Sequence, residues 1–98
     1  MNKTAYIIIP TYNEHDNITT LVQRLAKALA SYTYEIVFID DNSNDGTAEL
    51  AESLKDEHPI KVIVRKNKRG LASAVVDGLS HASGSIVAVM DADLQHPP

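Results

Sequence analysis

Four apolar runs punctuate the chain: Tyr6-Ile7-Ile8-Ile9, then YEIVFID, IKVIV and SIVAVMD, each rich in β-branched or aromatic residues. Apolar positions in them are continuous rather than alternating, which is the pattern of strands in a parallel sheet covered on both faces. Pro10 has no amide donor and is expected to end the first strand. Lys61, inside the third run, points to an edge strand or a local exit to solvent.

Between these runs the apolar period changes. Ile18, Leu21, Val22, Leu25 and Leu29 recur at helical spacing. This predicts a helix of about three to four turns, with Asp16 or Asn17 as its cap. DNSNDG concentrates turn-forming residues, and Asp45 is placed to cap GTAELAESL, whose Leu50, Ala51 and Leu54 share a face. Leu71, Val75, Leu79 and Ala82 predict a third helix, closed by Gly84.

The resulting order β-α-β-α-β-α-β predicts a three-layer α/β/α fold with a mainly parallel, Rossmann-like sheet. Right-handed crossovers put every strand-to-helix loop on one edge. PTYNE, DDNSNDG and DADLQHPP therefore converge if the strand order reverses beside the first strand, which makes the third strand the outermost member.

Composition narrows the possible partners. The 98 residues allow one small domain, and the formal charge of -4 offers little attraction to nucleic acid or an anionic membrane. No cysteine is present, which removes disulfides, thiolate catalysis and cysteine metal sites. No run approaches the roughly 18 apolar residues of a membrane span.

The chemistry-bearing residues cluster at the predicted strand ends. Asp91 and Asp93, separated by Ala92, leave the same face of an extended backbone, and Gln95 adds a neutral oxygen. Such an oxygen set suits Mg2+ or Mn2+, whose shell is commonly completed by substrate phosphates, so a diphosphate is the expected partner. The plain alternative is that both are turn acids or helix caps. Asp40-Asp41 forms a second acidic cluster on the same edge, able to accept hydrogen bonds from ribose or a base, or else belonging to a solvated loop. Asn13 and Glu14 offer similar groups, and Tyr12 can stack on a base or simply pack. Arg65, Lys66, Lys68 and Arg69 can offset phosphate charge or form a solvated basic loop. No Ser/His/Asp arrangement is assignable.

The ordered set IIIPTYNE, DDNSNDGT, KRGLASAVVDG and ASGSIVAVMDADLQHPP resembles family 2 glycosyltransferases of the glycosyltransferase A fold, and within them the dolichyl-phosphate mannose synthase-like group. The similarity extends over nearly all of the chain. It implies a nucleotide-sugar donor, GDP-mannose above all, a divalent cation (Mg2+ or Mn2+), and a polyprenyl-phosphate acceptor that receives the sugar with inversion. It further implies that Pro10, Tyr12, Glu14 and Asp41 help hold the nucleoside, with Ile39 in the pocket wall and Asp40 nearby. Asp91, Ala92, Asp93 and Gln95 are implied to meet ribose, diphosphate and metal, with Asp91, Asp93 and Gln95 reaching the ion. Family members continue well beyond the DAD loop, so residues 1–98 are expected to form the nucleotide-sugar-binding portion, inactive alone. Acceptor contacts and any membrane association are expected elsewhere, at the cytoplasm or the cytoplasmic face of a membrane.

Other readings are a UDP-sugar donor, a sugar-nucleotide pyrophosphorylase, or a non-catalytic nucleotide-binding module. A dinucleotide oxidoreductase is rejected, since PTYNEHDN stands where a G-x-G-x-x-G turn is required.

Overall fold

A computed structural model describes residues 4–66, 86–90 and 92. Among these residues four parallel strands form one sheet in the order β3-β2-β1-β4: β1 (Ala5–Thr11), β2 (Tyr34–Asp40), β3 (Ile60–Val64) and β4 (Ile86–Val89). The reversal on which convergence of the loops depended is present: the chain steps outward from β1 to β2 to β3 and then returns to the other side of β1 at β4. The edge position expected for IKVIV is also present, with Lys61 exposed on it.

Strand β1 runs through Pro10 to Thr11 instead of ending at the proline. The reason is parity. In a parallel ladder, successive residues bond to alternate neighbours. The Ile8 carbonyl accepts from Met90 N–H after β4, while the Thr11 carbonyl accepts from Asp41 N–H after β2. Pro10 shares the parity of Ile8, so its nitrogen faces the β4 side, beyond the last pair Ile8↔Val89. Its missing donor breaks no bond of the described ladder.

Helix α1 (His15–Ala28) connects β1 to β2, and α2 (Thr47–Ser53), continued by a 3-10 turn at Leu54–Asp56, connects β2 to β3. Ile18, Leu21 and Val22 of α1 and Ala51 of α2 bury against Ile7, Ile9, Ile36 and Phe38 of the sheet, and Leu25, Leu29, Leu50 and Leu54 pack around them. The opposite face carries its own buried set, Ile8, Val37 and Ile39, with Tyr6, Ile63 and Val87 against it. Thus each central strand alternates between two apolar environments, the physical reason its sequence shows no polar alternation. The helix predicted from Leu71 to Ala82 and its Gly84 cap lie outside the described residues.

Candidate functional site

The carboxyl ends of β1 and β2 emerge side by side, and the segments that follow are fastened to each other. Asn13 N–H donates to Ser43 Oγ at 2.8 Å, and Asn13 Oδ1 accepts from Asn44 N–H at 3.1 Å. Glu14 N–H donates to Thr47 Oγ1 at 3.0 Å, and His15 N–H to Asp45 Oδ2 at 3.2 Å. These bonds correct the expected capping of α1. The first amides of that helix find acceptors on α2 and the turn before it, while Asp16 and Asn17 lie inside the first turn. A helix leaves its first four N–H groups without intrahelical partners, and here a neighbouring loop supplies part of what a local cap would.

Asp45 also accepts from Thr47 N–H at 3.1 Å and from the Thr47 hydroxyl, so one carboxylate serves the starts of both helices. Burial pushes its carboxyl upward, but bonds from the Thr47 hydroxyl and from the His15 and Thr47 amides outweigh this and hold it below the ordinary value. The loop reaches this geometry through left-handed backbone at Asn13 (φ 56°), Asn42 (φ 61°) and Gly46 (φ 88°), residue types that tolerate it best. At Gly46 an added Cβ would also stand 3.4 Å from His15 Cδ2.

Asp40 and Asp41 are both buried, at 1% and 7% exposure, and face different partners. Asp40 Oδ1 accepts from the Thr11 hydroxyl at 2.7 Å and the Ser43 hydroxyl at 2.6 Å, while its Oδ2 accepts from Ser43 N–H at 2.8 Å. Asp40 therefore ties β1 to the loop after β2. Asp41 Oδ1 accepts from Arg65 Nε at 2.7 Å and stands 2.6 Å from Arg65 Nη2. Arg65 is 5% exposed, which overturns its reading as part of a solvated basic loop and as a surface cation for phosphate. The register Asp40↔Val64, continued by Arg65 N–H donating to the Asp40 carbonyl at 2.8 Å, sets Arg65 opposite Asp41 across the two strand ends.

Of the remaining expected site residues, Tyr12 is 41% exposed beside these loops, and Ile39 is wholly buried in the apolar cluster of Ile8 and Val37. Pro10 lies within β1, paired with Ile39, and Glu14 Oε2 accepts from Asn17 Nδ2 at 3.3 Å at the head of α1. On the far side of β1, Met90 packs on the main core and Ala92 is buried within it. Asp91, Asp93 and Gln95 lie outside the described residues, as do Lys68 and Arg69. Among the described residues, no three His, Asp or Glu side chains gather as metal ligands do. Nor is any helix among them long and apolar enough to cross a membrane.

Sequence reasoning passed over Thr11, Ser43 and Thr47, whose hydroxyls organise both loops. The proximity of Ser43 to Asp40 and of Thr47 to Asp45 in the sequence was visible, but partners about 30 residues apart, such as Thr11 and Asp40 at a separation of 29, required the strand pairing.

The family model for glycosyl transferase family 2 matches residues 6–98. The chain is 52% identical over 92 residues to a dolichol-phosphate mannosyltransferase of Pyrococcus furiosus, covering 94% of this chain and 26% of that protein. It is 44% identical over 99 residues to a dolichol-phosphate mannosyltransferase of Mycosarcoma maydis, covering 94% and 34%. It thus spans about a quarter to a third of these relatives' length. Among solved structures, a mannosyltransferase of Pyrobaculum calidifontis in complex with GDP-Man and Mn2+ superposes with a TM-score of 0.80 at 29% identity, over 95% of this chain and 28% of that one. With the expected parallel sheet in place and the family model matched along nearly its whole length, the chain belongs to glycosyl transferase family 2 and has the Rossmann-like glycosyltransferase A fold.

Proposed function

We propose that the protein is a metal-dependent glycosyltransferase that passes mannose from GDP-mannose to a polyprenyl phosphate with inversion, residues 1–98 supplying its nucleotide-sugar side. The observation that carries this reading is the joining of the 10–14 and 40–46 loops at the carboxyl edge, beside the strand-order reversal, in a chain 52% identical to a dolichol-phosphate mannosyltransferase. Family membership favours transfer over the pyrophosphorylase reading. The P. calidifontis mannosyltransferase, in complex with GDP-Man and Mn2+, supports the choice of donor and ion.

In this scheme Tyr12 offers an aromatic face to the base, Asp41 accepts from donor groups of the nucleoside, and Pro10, Glu14 and Ile39 shape the pocket. The donor set Asp91, Asp93 and Gln95 consists of oxygens alone and fits Mg2+ or Mn2+. When bound, the ion offsets negative charge developing on the departing nucleoside diphosphate. The acceptor phosphate is ionised at neutral pH, so its oxygen attacks without a protein base. Contact with a membrane is assigned to the lipid acceptor, at the cytoplasmic face, and the acceptor's own contacts to parts of the protein after residue 98.

Calorimetry with GDP, GDP-mannose and UDP-sugars, each with Mn2+ or with chelator, tests the reading. GDP-mannose is expected to bind best and at least about tenfold more tightly with Mn2+, and Asp91→Ala or Asp93→Ala to remove the metal effect. Equal affinity with and without the ion sinks the metal-dependent site, and preference for a UDP-sugar replaces the donor.

A further inference from the structure

We propose that Arg65 is a positioning residue for nucleoside recognition, acting through Asp41. The inference rests on the reading of Asp41 as a nucleoside contact and adds to it a residue directly after β3, the strand farthest from β4 in the sheet.

Asp41 is held from three strands at once. Its backbone N–H donates to the Thr11 carbonyl of β1 at 3.0 Å, and it follows directly on Asp40, the last residue of β2. Its carboxylate meets the guanidinium of Arg65, whose own backbone is bonded to β2 through Asp40. Two nitrogens of the planar fork, Nε and Nη2, meet the same oxygen, Oδ1, at 2.7 and 2.6 Å. That grip fixes the plane of the carboxylate. It also engages one oxygen and turns the accepting capacity of the other, Oδ2, to a different partner. A carboxylate only accepts, so a donor-bearing base edge or ribose hydroxyl is the chemistry it takes.

The pair is nearly dry, with side chains 4% and 10% exposed. A surface ion pair could turn with solvent, but a buried fork cannot without losing both bonds. Lysine carries the same charge at a single point and lacks the fork. Arg65 thus determines where the Asp41 oxygens stand, and Arg65→Lys separates orientation from charge.

The test is a double-mutant cycle in the full chain with Asp41→Ala, Arg65→Lys and the combined variant. Guanosine, GDP and Mn2+-pyrophosphate are titrated by calorimetry, and folding is followed by circular dichroism. Arg65→Lys is expected to weaken guanosine and GDP by about tenfold while leaving Mn2+-pyrophosphate unchanged, and to add nothing in the Asp41→Ala background. Where Arg65→Lys unfolds, the charge-matched pair Asp41→Asn/Arg65→Gln replaces it and is expected to lose guanosine affinity with Mn2+-pyrophosphate binding retained.

Equal weakening of guanosine and pyrophosphate, or an additive effect beside Asp41→Ala, overturns the inference, since Arg65 then acts on phosphate or on the fold at large. Unaltered guanosine affinity in Arg65→Lys overturns it while the Asp41 contact stands. Unaltered affinity in Asp41→Ala removes the nucleoside contact itself, a distinct outcome.

Discussion

Asp40 and Asp41 are adjacent and chemically identical, yet the sheet gives them separate tasks. Asp40 is turned into a cluster of hydroxyls and an amide from Thr11 and Ser43, whereas Asp41 meets a guanidinium. Replacing Asp40 by Asn tests the first assignment with almost no change of shape. Whichever way the amide turns, one of its positions becomes a donor and at least one of the Thr11 or Ser43 donors loses its acceptor. A buried donor left without a partner costs about 1–3 kcal/mol. Asp40→Asn is therefore expected to lower the urea midpoint accordingly, with an unchanged m-value. A midpoint equal to the parent's would show that Asp40 is dispensable to the loop.

At the scale of elements, α1 and α2 start from one shared knot. Asp45 accepts from His15 N–H of α1 and from Thr47 N–H of α2, and Gly46 makes the left-handed turn that lets it reach both. A side chain at Gly46 would pay the steric cost of that backbone, about 1–2 kcal/mol. The Asp45 carboxyl lies below its ordinary 3.8 because these bonds favour the charged form more than burial opposes it. The sign follows directly. A folded-state value below the unfolded one stabilises the fold fully above the unfolded value, and the contribution disappears as pH falls through 3.8 and then through the lower folded value. Asn caps helices nearly as well but does not titrate. Thermal melts are thus expected to show the parent more stable than Asp45→Asn at neutral pH, the gap narrowing only on acidification past that window. A gap independent of pH would exclude Asp45 as its source.

For the whole molecule, the sheet acts as the rigid plate from which the loops project. Phe38, 1% exposed on the central strand β2, is the largest fully buried side chain among the described residues and shares its core cluster with residues of both α1 and α2. Its truncation to Ala is expected to cost about 3–5 kcal/mol, a large share of the roughly 5–15 kcal/mol that holds a domain of this class together. Guanidinium unfolding of Phe38→Ala checks this, and a loss under about 1 kcal/mol would mean that the core collapses to fill the space. The elements from β1 to β3 and the strand in SIVAVMD were legible in the sequence through hydrophobic period, and Lys61 pointed to the edge position of IKVIV. The reversal beside the first strand was not, because strand order is set by pairing between distant segments. The expected end of β1 at Pro10 was one residue early, because which neighbour a residue bonds to depends on ladder parity. The α1 cap was misplaced for a related reason: Asp45 lies 30 residues from His15 in sequence and beside it in space.

What the amino-acid sequence settled by itself was the alternation of strands and helices from β1 to β3, and membership of the family. Each of these follows from residue type and spacing along the chain. Only the tertiary structure decided which carboxylate serves which partner, that Asp40 fastens loops while Asp41 meets Arg65, and that β1 continues through its proline. Those outcomes depend on strand register, and register is a property of pairing: a slip of one residue would turn every side chain to the other face and separate Asp41 from Arg65.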